Sequence, residues 1–411
     1  MPGADPGPLP TDIVITGLGA VTPFGWGVGP LWEGLRRGAT AIGPFSRFDA
    51  SRHRTHLAAE VPERPSPDRL GPRVSLADRL AVASAREALG HADLDLRRCP
   101  ERAGVFFGSS NGGMLESERF LEAALRDGRR RARTSAIVSQ QLNGPGDAVA
   151  RALRVEGPVE TVSSACTSGA MAIGGALRAL RRGEIDVALA GGADSLCQIT
   201  YAGFNALRSV DEAACRPFRA DRAGLSLGEG AAVLVLETGA AARARGARPI
   251  AVLAGEASAC DAHHMTAPAP DGAGAAEAIR MALADAGRTA DDVDFVNAHG
   301  TGTPLNDAAE AAALHAVFGP RTGSIPVTST KALIGHLLGS AGAIEALATV
   351  LCLVRRELHP MPAAGTLDPA IGLDLVIASP RPLRRSRCAL STNLAFGGSN
   401  AALVFTSAGR A

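Results

Sequence analysis

Four short stretches of this chain carry side chains able to do covalent or acid–base chemistry. In VETVSSACTSGAMAIGGALRAL (159–180) a β-like run meets two serines and then Cys166, followed at once by small residues with helical spacing. A thiol at a helix start faces unpaired N–H groups that favour its anion, which makes Cys166 a candidate nucleophile with a lowered pKa. The competing reading is a small buried thiol, since free cysteine is often buried. In DFVNAHGTGTPLNDAAE (294–310) His299 ends a strand and enters a Gly/Thr loop, where active-site residues of α/β folds gather. Thr301 and Thr303 place two hydroxyls beyond it; a lone histidine there also suits a buried backbone partner. In STKALIGHLLGSAGAIEAL (329–347) Lys331 stands at an expected helix start, with His336 five residues on and Glu345 later on the same helix. In NLAFGGSN (393–400) the Gly397–Gly398 pair beside Phe396 implies backbone amides free to donate to an oxyanion.

Composition singles out one of these residues. The chain has 42 lysines and arginines, and Lys331 is its only lysine. A position that keeps lysine in so arginine-rich a chain points to a compact ammonium that can share a proton, which a planar guanidinium cannot replace. Chance survival of one lysine is the alternative.

The elements that must hold these groups read as an α/β series. Buried strands are expected at 12–19, 103–107, 159–162, 186–190 and 231–236, with an amphipathic helix at 77–89. A second series follows, with strands at 249–254, 293–297 and 325–329 and a helix at 275–286. The plan of 324–350 (strand, Ser/Thr turn, small-residue helix) repeats that of 159–180, so two similar halves are expected, residues 12–250 and 251–411. Small-residue helices need another backbone close by, which suits two buried helices meeting at a pseudo-twofold axis. The opening residues 1–11 are Pro/Gly-rich and expected to be disordered, and they lack the pattern of a signal peptide.

The bulk properties exclude several classes. At 411 residues, 46% hydrophobic and 20% charged, the chain has ample core, and a net charge of +1 gives no general attraction to nucleic acid or membranes. No apolar run reaches the length of a membrane span. Seven cysteines with no CxxC pair or zinc-type spacing indicate free thiols in a reducing cytoplasm and no metal site.

Taken together, the four stretches resemble the condensing enzymes of the thiolase superfamily, specifically 3-oxoacyl-[acyl-carrier-protein] synthase II and the ketosynthases of polyketide pathways. VITGLGAVTPFG near the start, DRAGLSLGEGAAVLVLE (221–237) and DAHHMTAPAPDG (261–272) extend the resemblance over residues 12–405. It implies a thiolase-type layered αβαβα fold of two pseudo-symmetric halves and a decarboxylative Claisen condensation of a malonyl thioester with a Cys-bound acyl chain, without a cofactor. By position it implies Cys166 as nucleophile and His299 and His336 as the pair that promotes decarboxylation. Lys331 with Glu345 becomes the charged support, and the amides of Cys166 and Phe396 the oxyanion hole. Thr301 and Thr303 become contacts of the pantetheine arm. Phe396, with Ala395, Gly397 and Gly398, becomes a gate whose partner loop holds Asp261. Phe107 and Phe204 are the residues expected to set pocket depth.

Two positions depart from the family pattern: Ala395 stands where glycine is common, which bears on gate flexibility, and His263 where an aromatic is frequent. Thiolases use a second cysteine near the final glycine turn, whereas Cys388 lies nine residues before Gly397. The resemblance also implies an acidic acyl carrier protein as partner, docking on basic residues; Arg129, Arg130, Arg131 and Arg208 are the candidates, with an ordinary solvated loop as the alternative for the arginine run. A homodimer, or a heterodimer with a chain-length-factor-like subunit, is expected. The rival from another class is a non-catalytic subunit that shapes a partner's pocket, against which the intact Cys166–His299–His336 set argues.

Overall fold

The computed structural model describes residues 8–63, 73–130 and 132–409. Ten strands form its frame. In the first half these are β1 (Ile13–Thr22), β2 (Ala103–Gly108), β3 (Val159–Val162), β4 (Val187–Asp194) and β5 (Gly230–Thr238). In the second they are β6 (Ala251–Cys260), β7 (Phe295–Asn297), β8 (Pro326–Thr328), β9 (Cys388–Leu394) and β10 (Ser399–Ser407). The first set lies in the order β1-β5-β4-β2-β3 and the second in the order β6-β10-β9-β7-β8. Strand directions match as well. β5 runs antiparallel to β1 and β4, as β10 does to β6 and β9, while β4-β2-β3 and β9-β7-β8 are parallel. One plan is therefore used twice, and the two copies join through the pairs Val14↔Val252 and Ile15↔Ala251.

Helices make five layers of these sheets. Helix α1 (Leu76–Ala92), started by a Ser75–Asp78 capping box, covers the outer face of the first sheet. Helix α3 (Ala273–Asp285) covers the second. Between the sheets lie α2 (Ser168–Arg181) and α4 (Ala341–Arg355), which touch each other and strands of both halves. Their small residues set the closeness. A Cβ on Gly169 would stand 2.7 Å from the Ala343 nitrogen, and one on Gly342 would stand 2.6 Å from the Ala170 nitrogen. The stretch Leu338–Arg355 is long and apolar enough to cross a membrane, yet it is 89% buried inside the fold, which makes it a core element.

Two expectations are corrected here. Lys331 and Glu345 do not share a helix: Lys331–Ile334 is one helical turn, the chain breaks at Gly335 (φ 72°) and Leu338 (φ 55°), and α4 begins only at Ala341. Glycine at 335 permits that left-handed break. Of the opening segment, residues 1–7 lie outside the described residues, but Pro8–Thr11 is held in place. Arg243 donates to the Pro8 carbonyl and Ala240 N–H to the Pro10 carbonyl.

Candidate active site

Cys166 lies past the end of β3, on a sharp turn that leads into α2. Ala165 before it has φ 46°, a left-handed backbone that a non-glycine residue adopts only under constraint. The constraint is visible: the Ala165 carbonyl accepts from the Ser168 hydroxyl at 2.6 Å, the Ser168 N–H at 3.2 Å and the Ser110 hydroxyl at 3.2 Å. The cysteine precedes the helix by two residues, and the expected lowering of its pKa is not what the surroundings produce. Burial pushes the thiol up to about 11, against the opposing pull of the Lys331 charge and of the backbone N–H of Phe396. Desolvation of the anion outweighs the helix terminus.

His299 follows β7 and His336 the broken segment after β8; both are 1% exposed. Their rings meet edge to face, with centroids 5.4 Å apart and an interplanar angle of 88°. The Lys331 ammonium donates to His299 Nδ1 at 2.9 Å, and the Leu338 N–H donates to His336 Nδ1 at 2.9 Å. With Nδ1 occupied as an acceptor, each ring carries its proton on Nε2. His336 Nε2 is buried with no partner. Burial first, and then the Lys331 charge, hold both imidazoles well below their usual pKa, so both are neutral.

Lys331 is 1% exposed, and its ammonium pairs with Glu345, whose other oxygen accepts from the Asn393 amide. The only lysine thus bridges a carboxylate and an imidazole in a space closed to water. Beyond the sulfur, Thr301 and Thr303 join hydroxyls at 2.9 Å on one wall of a cavity of about 380 Å³ that also exposes Phe204, Arg208 and Phe396. Phe204 and Phe396 stack with centroids 5.6 Å apart. The Gly397 N–H donates to the Met265 carbonyl at 2.7 Å, and the Asp261 N–H to the Gly398 carbonyl at 2.8 Å, so the loop carrying Asp261 holds the Phe396 loop. Ala395 is extended (φ −130°, ψ 156°), a backbone that alanine adopts without strain.

Some expected residues lie elsewhere. Phe107 is buried on the outer face of β2 among Val105, Val149 and Leu189, away from the cavity, because consecutive strand residues face opposite ways and Phe106 takes the inner face. Arg208 lines the cavity, whereas Arg129 and Arg130 are exposed just past the helix Met114–Asp127 and do not. Arg131 lies outside the described residues. Two larger depressions, of about 580 and 1270 Å³, contain no residue of the four stretches that carry the candidate chemistry.

Sequence reasoning passed over three supports. Glu310, inside a quoted motif, accepts the N–H groups of His299 at 2.7 Å and Gly300 at 2.8 Å, while burial pushes its carboxyl up to about 7. Its signal was an acidic residue in an alanine-rich helix. Asn400 donates to Asp261 at 2.7 Å, and Asn393 holds Glu345. Cys166, His299 and His336 bring three potential ligand atoms within 4.8 Å of one another. The adjoining Lys331 ammonium opposes a divalent cation there, so the set does not suit a metal.

A five-layer α/β sandwich with a cysteine after one strand and two histidines after neighbouring strands of its second half is the architecture of thiolase-type condensing enzymes. Comparison with known proteins narrows this. Residues 11–242 match the family model for the β-ketoacyl synthase N-terminal domain, and residues 250–364 match that for its C-terminal domain. The chain is 36% identical over 404 residues to 3-oxoacyl-[acyl-carrier-protein] synthase 2 of Staphylococcus aureus, covering 96% of this chain and 97% of that protein. Its fold is similar to the ishigamide ketosynthase/chain length factor, with a TM-score of 0.92, 34% identity, and 96% and 99% of the two chains covered. It is also similar to the structure described as AntDE:AntF, a type II polyketide synthase acyl-carrier protein in complex with its ketosynthase, with a TM-score of 0.89, 28% identity, and 96% and 99% covered. The chain belongs to the β-ketoacyl synthase family; it is an acyltransferase of fatty-acid or polyketide chain elongation.

Proposed function

We propose that Cys166 carries the growing acyl chain and that His299 and His336 drive decarboxylation of the malonyl extender. The observation that carries this reading is the tautomer the two rings share: each Nδ1 is occupied, which leaves two Nε2–H donors beside the sulfur. In the first step the Cys166 sulfur attacks the acyl thioester, a C–S bond forms, the carrier C–S bond breaks, and the thiol proton ends on the departing carrier thiol. The N–H groups of Cys166 and Phe396, which face the sulfur, would hold the transient oxyanion. In the second step the two imidazoles donate to the malonyl thioester oxygen, carbon dioxide leaves, and the enolate carbon attacks the Cys-bound acyl group. A C–C bond forms, the C–S bond to Cys166 breaks, and one solvent proton restores the thiol. The scheme needs no cofactor.

Thr301 and Thr303 suit the polar pantetheine arm between the mouth and the sulfur, and Arg208 suits an acidic carrier protein docked at that mouth. One structural relative is described as a ketosynthase/chain length factor and another as bound to a carrier protein, which favours the same partners here. The free thiols suit the reducing cytoplasm. The test is incubation with acyl-carrier thioester followed by peptide mass analysis. An adduct on Cys166, and none in Cys166→Ala, is expected. An adduct on another cysteine with Cys166 untouched, or condensation by Cys166→Ala alone, overturns the assignment, and a parent that takes no adduct on any cysteine points to the scaffolding reading.

A further inference from the structure

The condensation scheme leaves several fully buried carboxylates unused, and one of them bonds to loops from both halves. Asp194, at the end of β4, is 0% exposed. Among the described residues it pairs with no basic side chain and is instead surrounded by donors. Oδ1 accepts from the Ser109 hydroxyl at 2.8 Å and the Asn111 N–H at 2.8 Å. Oδ2 accepts from the Ser110 N–H at 2.9 Å and the Gly339 N–H at 2.7 Å. Burial pushes its carboxyl up to about 6, and these four donors work against that rise, so the group is an anion at neutral pH.

Two of these donors bear on residues that hold the reacting groups. Ser110, fixed through its N–H, turns its hydroxyl to the Ala165 carbonyl, the strained residue that aims Cys166. Gly339, fixed through its N–H, follows Leu338, whose own N–H donates to His336 Nδ1. Leu338 sits at φ 55°, a backbone that persists only where its surroundings enforce it. Gly339 has no room for a side chain: a Cβ would stand 2.7 Å from Asp194 Oδ2 and 2.6 Å from the Ser110 nitrogen. The anion therefore clamps the loop after β2, from the first half, to the segment between β8 and α4, from the second.

We infer that Asp194 is a positioning residue that sets Cys166 and His336 in mutual register, through Ser110 on one side and through Leu338–Gly339 on the other. The inference rests on the roles proposed above for Cys166 and His336. Charge-assisted bonds to buried N–H groups are the strong kind, and they are directional enough to hold two loops to a common centre. One carboxylate so placed keeps the Nε2–H of His336 aimed at the space beside the sulfur.

Asp194→Asn is the test, because the amide turns an N–H₂ toward groups that are all donors. Condensation kcat is expected to fall at least about thirtyfold with the KM for malonyl thioester within about twofold, and Asp194→Glu is expected to recover most of the loss. In ¹⁵N-histidine spectra the parent should show His336 with bare Nδ1 and protonated Nε2, and Asp194→Asn should lose that signature. Ser110→Ala severs only the cysteine arm, so acyl loading should slow several-fold while malonyl decarboxylation and the His336 signature stay as in the parent. If Asp194→Asn does not fold, Ser110→Ala and Asp194→Glu decide: unchanged loading in the first, together with an unrecovered Glu variant, overturns the inference. A soluble Asp194→Asn with parental kcat and His336 signature overturns it as well. Cys166→Ala and His336→Ala run in the same assays separate the two levels: if they remain active, the proposed site itself is wrong, and if they are inactive while Asp194→Asn is not, only the positioning role falls.

Discussion

Lys331 shows why residue identity, and not charge alone, matters in this pocket. Its ammonium meets a carboxylate and an imidazole at once, in a space too closed for a guanidinium to keep both contacts. Lys331→Arg should fold and lose most condensation activity. Lys331→Ala leaves Glu345 as an unpaired buried carboxylate, a loss of about 3–5 kcal/mol; it should lower both rate and melting temperature. Full activity in the arginine variant would make the single lysine an accident of composition. With the neutral imidazoles as the proposed donors, His299→Ala and His336→Ala should each slow malonyl decarboxylation by roughly a hundredfold or more while sparing acyl loading. Equal rates of decarboxylation in parent and variants would remove them from the scheme. Cys166 gives a pH test. With its thiol pushed up to about 11, the thiolate fraction rises tenfold with each pH unit gained below that value, so alkylation by iodoacetamide should climb from pH 7 to 10 without levelling. Lys331→Ala removes a charge that favours the thiolate and should slow alkylation throughout. A plateau near pH 8 contradicts this picture.

At the scale of elements, the gate and the central helix pair are the informative units. Phe396 is covered by Phe204, an offset stack of a kind worth about 0.5–1.5 kcal/mol. Phe204→Ala should therefore loosen the loop and speed modification of Cys166 by a bulky maleimide up to about tenfold. An unchanged rate would show that the loop is held by its bonds to Met265 and Asp261 alone. The alanine at 395 costs nothing in this conformation because the backbone there is extended. Between the sheets, α2 and α4 approach so closely that a valine at Gly342 would drive into the backbone of Ala170. Gly342→Val should accumulate as insoluble chain, and a soluble, folded product would contradict the packing described.

At the scale of the whole molecule, two surfaces are placed to meet partners. β3 ends the first sheet, and its outer edge has no partner strand among the described residues; Val159 there is 38% exposed. An edge of unpaired N–H and C=O groups is a template for another chain. Val159→Asp should shift the protein toward monomer in sedimentation, and an unaltered distribution would move the interface elsewhere. At the cavity mouth Arg208 is the basic residue proposed above to meet a docked carrier. Arg208→Glu should raise the KM for carrier protein several-fold at low salt with kcat nearly unchanged, because rim charges act on encounter. Arg129→Glu with Arg130→Glu should act more weakly, since neither residue lines the mouth.

Much of this was legible in the residues themselves. The strands read as short buried runs, the repeated plan pointed to two halves, and Cys166, His299, Lys331 and His336 stood out by type and spacing before any fold was known. These signals are local: they depend on period, on turn chemistry, and on a residue type used once. What the tertiary structure decided is of another kind. Gly335 and Leu338 break what reads as one helix from Lys331 to Glu345, and only the folded chain brings that pair together. Phe106 rather than Phe107 turns inward, a choice made by which sheet face meets α2. Glu310, Asn393 and Asp194 gain their importance from N–H and amide groups that folding turns toward them. The sharpest difference is the cysteine. Local sequence puts its sulfur near a helix start and argues for a low pKa, whereas the assembled pocket strips much of the water from it and argues for a high one. Desolvation is the sum of every neighbour in space, many of them more than a hundred positions away in the chain, and no window of sequence contains that sum.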